Sequence, residues 1–246
     1  MPTIERAANY EDLSHRAARA LYDFIETTPS GVLALPTGKT PVGAYDRLIE
    51  KLEARPLDCS RVFLVDIDEV VGLPVDHPGS CAAILRRQLV DRPPFSSSAR
   101  RLLDGAAADP DEEARFHEEE IRRRGGLGFA VLGIGVNGHI ALNEPGTPFD
   151  SGAHVSVLAE STIRRLPTGG SSGAERPTLG LTLGIESLLA ARRVLLLASG
   201  EAKAEILQTA LNGVVTESVP ASALQRHPDL HVIADEPALS RWRPKE

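Results

Sequence analysis

The sequence predicts an α/β fold: a mostly parallel sheet covered by helices on both faces. Three observations point there. Short, almost wholly apolar runs (GVLALP at 31–36, GFAVLGIG at 128–135, RVLLLASG at 193–200) have the length and continuity of strands buried on both sides. Segments with apolar residues at helical spacing alternate with these runs, which is the pattern of strand–helix–strand units. Gly and Pro gather at the junctions, where strands end and turns begin.

Leu13, Ala17, Leu21 and Ile25 recur at helical spacing and predict a helix before the Pro-Ser-Gly turn at 29–31. GVLALP follows as a strand, and Thr40-Pro41 opens a helix over Ala44 to Leu52. RVFLVDID (61–68) reads as one strand, and helical segments around 79–91 and 111–124 lead to GFAVLGIG. HVSVLAE (154–160) alternates like a strand. RVLLLASG is followed by the helix-like EAKAEILQTALNG (201–213), and LHVIAD (230–235) is the last strand. LPTGGSSGAERP (166–177) is rich in Gly, Ser and Pro and is the candidate mobile lid, taken over 160–178. With no internal repeat and no linker, the expectation is one domain spanning 1–246.

The composition, 42% hydrophobic and 25% charged over 246 residues, is that of a soluble globular chain. A formal net charge of −7 argues against nucleic acid or an anionic membrane as partner. An anionic ligand would need local donors: a loop, a helix N-terminus, one or two cations. The start, MPTIERAANYEDL, has no apolar signal core, and no run approaches 18 apolar residues, so a cytoplasmic location is expected. Cys59 and Cys81 have no metal-ligand spacing and read as idle free thiols.

Parallel sheets place ligand chemistry at the carboxyl ends of their strands, and three strand ends are unusual. In LPTGKTP (35–41) the GKT triplet suggests a phosphate loop, but a nucleotide loop needs Gly where Leu33 stands. Backbone N–H groups of Gly38, Lys39 and Thr40, with the side chains of Thr37, Thr40 and Lys39, suit a phosphate; a plain strand–turn–helix junction is the other reading. In VDIDEVVGLP (65–74), Asp66, Asp68 and Glu69 follow a buried run. At period two, Asp66 and Asp68 share a face. A carboxylate there, lifted toward neutrality by burial, can accept a carbon-bound proton, while caps and solvated loop acids are the alternative. Mg²⁺ binding lacks a further cluster of oxygen ligands nearby.

The third end, GIGVNGHIALNEPG (133–146), opens on the dinucleotide fingerprint G-x-G-x-x-G, and Glu160 supplies an acid downstream. That fingerprint must run into a long helix, and Pro145, Gly146 and Pro148 forbid one. The glycines instead let the backbone approach a ligand and make room for His139. Asn137, His139 and Glu144 then carry the chemistry: an imidazole moves protons between oxygens, and a carboxylate or amide fixes its tautomer. His77 and the remaining histidines read as structural. In SGEAKAEIL (199–207), Lys203 stands in the first turn of a helix, an unfavourable place for a cation unless an anion joins it.

LPTGKTP, DIDEVVGLP, GIGVNGHIALNEPG and SGEAKA, in this order and spacing, resemble the glucosamine-6-phosphate deaminases over about residues 10–236. D-E-x-x-G-L-P and N-G-H-I-A-x-N-E-P set the chain nearer to them than to the related 6-phosphogluconolactonases. The resemblance implies a modified Rossmann-like fold with no nicotinamide, no other cofactor and no metal. It implies conversion of D-glucosamine 6-phosphate and water to D-fructose 6-phosphate and ammonia. Asp68 would move the proton from C2 to C1, His139 would serve the ring oxygen, and Asn137 and Glu144 would orient that imidazole. Gly38, Lys39, Thr40 and Lys203 would hold the 6-phosphate. Asn137 stands where the family often has Asp, and the position of the usual lid arginine is Thr168. Arg164, Arg165 and Arg176 are candidate replacements, and Lys39 is the preferred one. A lactone hydrolase and a non-catalytic sugar-phosphate sensor are the other expectations considered. The short C-terminus leads to the expectation of a monomer or small homo-oligomer.

Overall fold

The computed structural model describes residues 2–166 and 176–243. The middle of the expected lid, residues 167–175 including Thr168, therefore lies outside the described residues.

Seven strands form the main sheet: β1 (Thr3–Ala7), β2 (Val32–Leu35), β3 (Phe63–Asp66), β5 (Ala99–Arg101), β6 (Phe129–Gly133), β9 (Arg193–Ala198) and β10 (Leu230–Asp235). Their order is β1-β10-β9-β6-β2-β3-β5, and every neighbouring pair is parallel. Alternate residues of each strand serve opposite faces. Val32, Ala34, Leu132, Val194 and Leu196 pack with Ile121, Leu188 and Leu207. These come from α4 (Pro110–Arg123), α6 (Ile185–Leu189) and α7 (Ala204–Asn212). Leu33, Leu35, Phe129, Leu195 and Leu197 face Leu13, Leu21, Leu48 and Leu85. These belong to α1 (Tyr10–Thr27), α2 (Val42–Ala54) and α3 (Cys81–Leu85), the last continuing as a π-turn over Arg86–Val90. The α/β class with helices on both faces is what the apolar runs predict.

Local rules set the helix starts. The Asn9 side chain accepts from the Asp12 N–H and caps α1, with Glu11 and Asp12 in its first turn. Asp109 caps α4, Pro110 opens it, acids fill its first turn and Arg122 and Arg123 its last.

Two expectations need correction. RVFLVDID is not one strand. β3 ends at Asp66, Ile67 intervenes, and β4 (Asp68–Val70) leaves the main sheet to pair antiparallel with β8 (Leu179–Thr182). HVSVLAE does give a strand, β7 (His154–Val157), but it pairs antiparallel with β8 and completes a three-stranded sheet β4-β8-β7. Glu160, weighed as a nucleotide ligand, instead begins the short helix α5 (Glu160–Ile163). This small sheet stands beyond the carboxyl end of β3, and its β4 carries Asp68 out of the main sheet.

Candidate active site

The carboxyl ends of β2, β3, β6 and β9 lie side by side, with Leu35 opposite Asp66 and Gly133 opposite Leu197. The segments leaving these ends bring together most of the residues singled out in the sequence.

After β2, the loop 36–41 is held by Tyr10. Its hydroxyl donates to the Lys39 carbonyl (3.0 Å) and accepts from the Gly43 N–H (2.9 Å). Among the described residues, no protein acceptor meets the N–H groups of Gly38, Lys39 or Thr40. The Lys39 side chain is exposed. The Thr37 hydroxyl donates to Cys81 Sγ at 3.4 Å, and the Cys81 thiol in turn bonds Asp68. Cys81 is thus free, as expected, but not idle.

The three acids after β3 have separate tasks. Asp66 is 1% exposed, accepts from the Leu103 N–H, and lies 3.7 Å from His117 Nε2. Glu69 is fully buried and accepts from the N–H groups of Val70 (2.7 Å), Cys81 (2.9 Å) and Ala82 (2.8 Å), so it caps the start of α3. Of the three, Asp68 is the one that interacts electrostatically with His139. Burial raises its pKa to about 6, against the opposing pull of His139 and Cys81. That is the range in which a carboxylate is both ionised near neutrality and basic enough to take a proton.

After β6, no helix follows Gly138; the chain from Ile134 to Ala153 is turns, irregular backbone and a single bridge between Ile140 and Asn143. The expectation about the glycines holds at Gly135, where an added Cβ would lie 2.4 Å from His139 Nε2. Only a residue without a side chain lets the imidazole lie flat on this backbone. The ring is 20% exposed, with Nδ1 3.5 Å from Glu144 Oε2 and 3.2 Å from the Thr162 hydroxyl of α5. Burial works against the Glu144 charge, but bonds from His139, Thr162 and Asn137 outweigh it and bring its pKa down to about 2. Glu144 is therefore a fixed carboxylate acceptor. Beside Nδ1, it favours a proton on that nitrogen and leaves Nε2 free of protein partners among the described residues. Asn137 donates to Glu144 Oε2 (2.7 Å) and accepts from the His139 backbone N–H (3.3 Å). It fixes the carboxylate and the loop, where a direct hold on the ring was expected.

After β9, Ser199 and the Gly200 N–H bond Asp235, which fixes the turn. Lys203 is not in the first turn of an α-helix. It ends a 3₁₀ turn (Glu201–Lys203) just ahead of α7. Its Nζ donates to the Ile134 carbonyl at 2.6 Å, one residue before Gly135. Burial, then the positive charge of Arg165, bring its pKa down to about 8. Two cations share this corner.

Three residues had no clear signal in the sequence as site members: Thr162, a common residue in an unremarkable helix; Cys81, which spacing marked only as a free thiol; and Arg165, one of three candidate arginines. Arg164 pairs with Glu160 at 3.1 Å and Arg176 donates to the Ile163 carbonyl, so neither points to Lys203 through these contacts. His77 accepts from the Gly79 N–H within its own turn, a structural task. Among the described residues, no group of three or more His, Cys, Asp or Glu side chains is arranged to hold a metal ion.

The chain matches, over residues 5–232, the model of the family described as glucosamine-6-phosphate isomerases/6-phosphogluconolactonase. A glucosamine-6-phosphate deaminase of Shouchella clausii is 39% identical over 242 residues, 98% of both chains. One from Thermoanaerobacter pseudethanolicus is 38% identical over 232 residues, 94% of this chain and 92% of its own. A solved monomeric glucosamine-6-phosphate deaminase superposes with a TM-score of 0.88 at 36% identity, over 98% of this chain and 100% of that one. The 6-phosphogluconolactonase of Trypanosoma brucei superposes with a TM-score of 0.75 at 21% identity and shares the fold. The chain belongs to the glucosamine-6-phosphate isomerase/6-phosphogluconolactonase family.

Proposed function

We propose that this protein converts D-glucosamine 6-phosphate and water to D-fructose 6-phosphate and ammonia. The observation that carries this reading is Asp68: a buried carboxylate with a pKa near 6, beside His139 and bonded only by the weak thiol donor of Cys81. Lactone hydrolysis gives such a carbon base no task, whereas an aldose-to-ketose shift requires one.

The chemistry follows from the placement. His139 Nε2 relays a proton between the anomeric hydroxyl and the ring oxygen, and the pyranose opens to a C1 aldehyde. Asp68 removes the C2 proton, giving an enolamine across C1 and C2, and returns the proton to C1. Water adds to the resulting C2 imine, the C–N bond breaks and ammonia leaves. Electrons and protons balance without any redox partner. Glu144 and Asn137 hold the imidazole and its loop. Thr37, the open N–H groups of Gly38, Lys39 and Thr40, and the side chains of Lys39 and Lys203 hold the 6-phosphate. Arg165 joins Lys203 there, and Lys39 adds positive charge in place of the usual lid arginine. A phosphate between two cations relieves their mutual repulsion, which supports this assignment.

The protein is read as one domain over 1–246 with a lid around 160–178, acting in the cytoplasm as a monomer or small homo-oligomer on a small sugar phosphate. The monomeric deaminase relative, the net charge of −7 and the lack, among the described residues, of a helix fit to cross a membrane support this, as against nucleic acid or membrane partners. The test is release of ammonia and fructose 6-phosphate by the purified chain and by Asp68→Asn. We expect turnover by the wild type and a loss of about 10³-fold in kcat in the variant. Turnover of a phosphorylated lactone alone, or binding of glucosamine 6-phosphate without turnover, would overturn the reading.

A further inference from the structure

Thr162 reaches the site from outside the three strand ends. It is 5% exposed and its N–H is held by the Ala159 carbonyl at 2.9 Å, so its backbone is fixed in α5 and its side chain is buried. Its hydroxyl lies 3.2 Å from His139 Nδ1, closer than the 3.5 Å that separates Nδ1 from Glu144 Oε2. The same hydroxyl lies close enough to the Glu144 carboxylate to help hold its pKa down.

We propose that Thr162 is a positioning residue for ring opening, relaying the hold of Glu144 onto His139. Nδ1–H donates to the Thr162 oxygen, and the Thr162 hydroxyl donates onward to Glu144. A hydroxyl is suited to this place because it accepts and donates at once, whereas the carboxylate only accepts. The relay keeps the proton on Nδ1 and Nε2 open toward the ring oxygen. It also ties the orientation of the catalytic imidazole to α5, at the entry to the lid segment. No other described residue joins α5 to this ring by a hydrogen bond.

This inference rests on the deaminase reading, and the experiment separates the two. The full chain is assayed with glucosamine 6-phosphate as wild type, Thr162→Ser, Thr162→Val, Glu144→Gln and the double variant Thr162→Val/Glu144→Gln. If the wild type releases no ammonia, the deaminase reading fails. If the wild type is active, Thr162→Val is expected to lower kcat about tenfold with KM within about twofold, and Thr162→Ser to restore most of it. In the Glu144→Gln background the same Val substitution should cost less than about twofold, because groups in one network are not additive. A Val variant with wild-type kcat, a Ser variant as impaired as Val, or an undiminished effect in the Glu144→Gln background would each overturn the proposal. Should Thr162→Val fail to fold, Thr162→Ala takes its place: about a tenfold loss of kcat that shrinks in the Glu144→Gln background is expected, and wild-type kcat or an undiminished loss overturns the proposal.

Discussion

Around Asp68 two effects compete. Loss of water raises the pKa, the neighbouring imidazole and thiol lower it, and the balance falls at about 6. A base must be ionised to act, so kcat/KM is expected to fall as the pH drops below about 6. On the other side, Lys203 is brought down to about 8 by burial and Arg165. Above that pH the free enzyme loses the charge proposed to hold the phosphate, and KM is expected to rise. The check is a pH profile of kcat and kcat/KM between pH 5 and 9; a flat acid limb would remove Asp68 as the titrating base. These residues were legible in the sequence because each stands at or just beyond the end of an apolar run, although helix caps and solvated charges were the competing readings there. Thr162 was not legible, since nothing about one threonine on a short helix reveals which ring it meets. The contact exists only after β7 and β8 fold α5 over the loop.

At the scale of elements, the loop after β6 depends on a backbone that comes within side-chain distance of an imidazole. A methyl group at Gly135 would overlap three ring atoms of His139, each within 2.5 Å. The ring, 20% exposed and held at Nδ1 by Glu144 and Thr162, has to swing away and strain those contacts. Gly135→Ala is therefore expected to lower kcat at least about tenfold while the melting temperature moves by only a few degrees, roughly the shift of 1 kcal/mol in a chain of this size. Activity and melting are read on one preparation; wild-type kcat would show that the loop has slack. Central strands were legible because continuous apolar runs fit a sheet covered on both faces. β1 (TIERA) and β5 (ARR) were not, because edge strands are short and carry charge, which erases the apolar signal. The division of RVFLVDID was hidden for a different reason. Period two continues through Ile67, and only pairing with β8 reveals the change of sheet.

For the molecule as a whole, the site has a consequence for stability, because its acids share one buried region. Burial, then the charges of Glu69 and Asp68, push the Asp66 carboxyl well above the usual range; burial raises Glu69 to about 7. A carboxyl whose pKa is raised on folding holds its proton in the native state when the unfolded chain has lost it. Its contribution is present below the unfolded value near 4 and declines as the pH rises through the folded value. His117, brought down to about 4 mainly by burial, acts in the opposite sense and disfavours the native state as the pH falls below 6.5. The two trends oppose each other in the wild type, so the melting temperature of one protein does not separate them. Asp66→Asn does. The amide oxygen can still accept from the Leu103 N–H, and the group no longer titrates. The difference in melting temperature, variant minus wild type, is expected to become more positive between pH 5 and pH 8, whatever its value at pH 5. Calorimetry at both pH values checks this, and an unchanged difference would mean that Asp66 ionises in the native state as readily as in the unfolded chain. The same low-dielectric region that holds Asp68, the proposed base, near 6 thus places two neighbouring acids where their ionisation opposes folding.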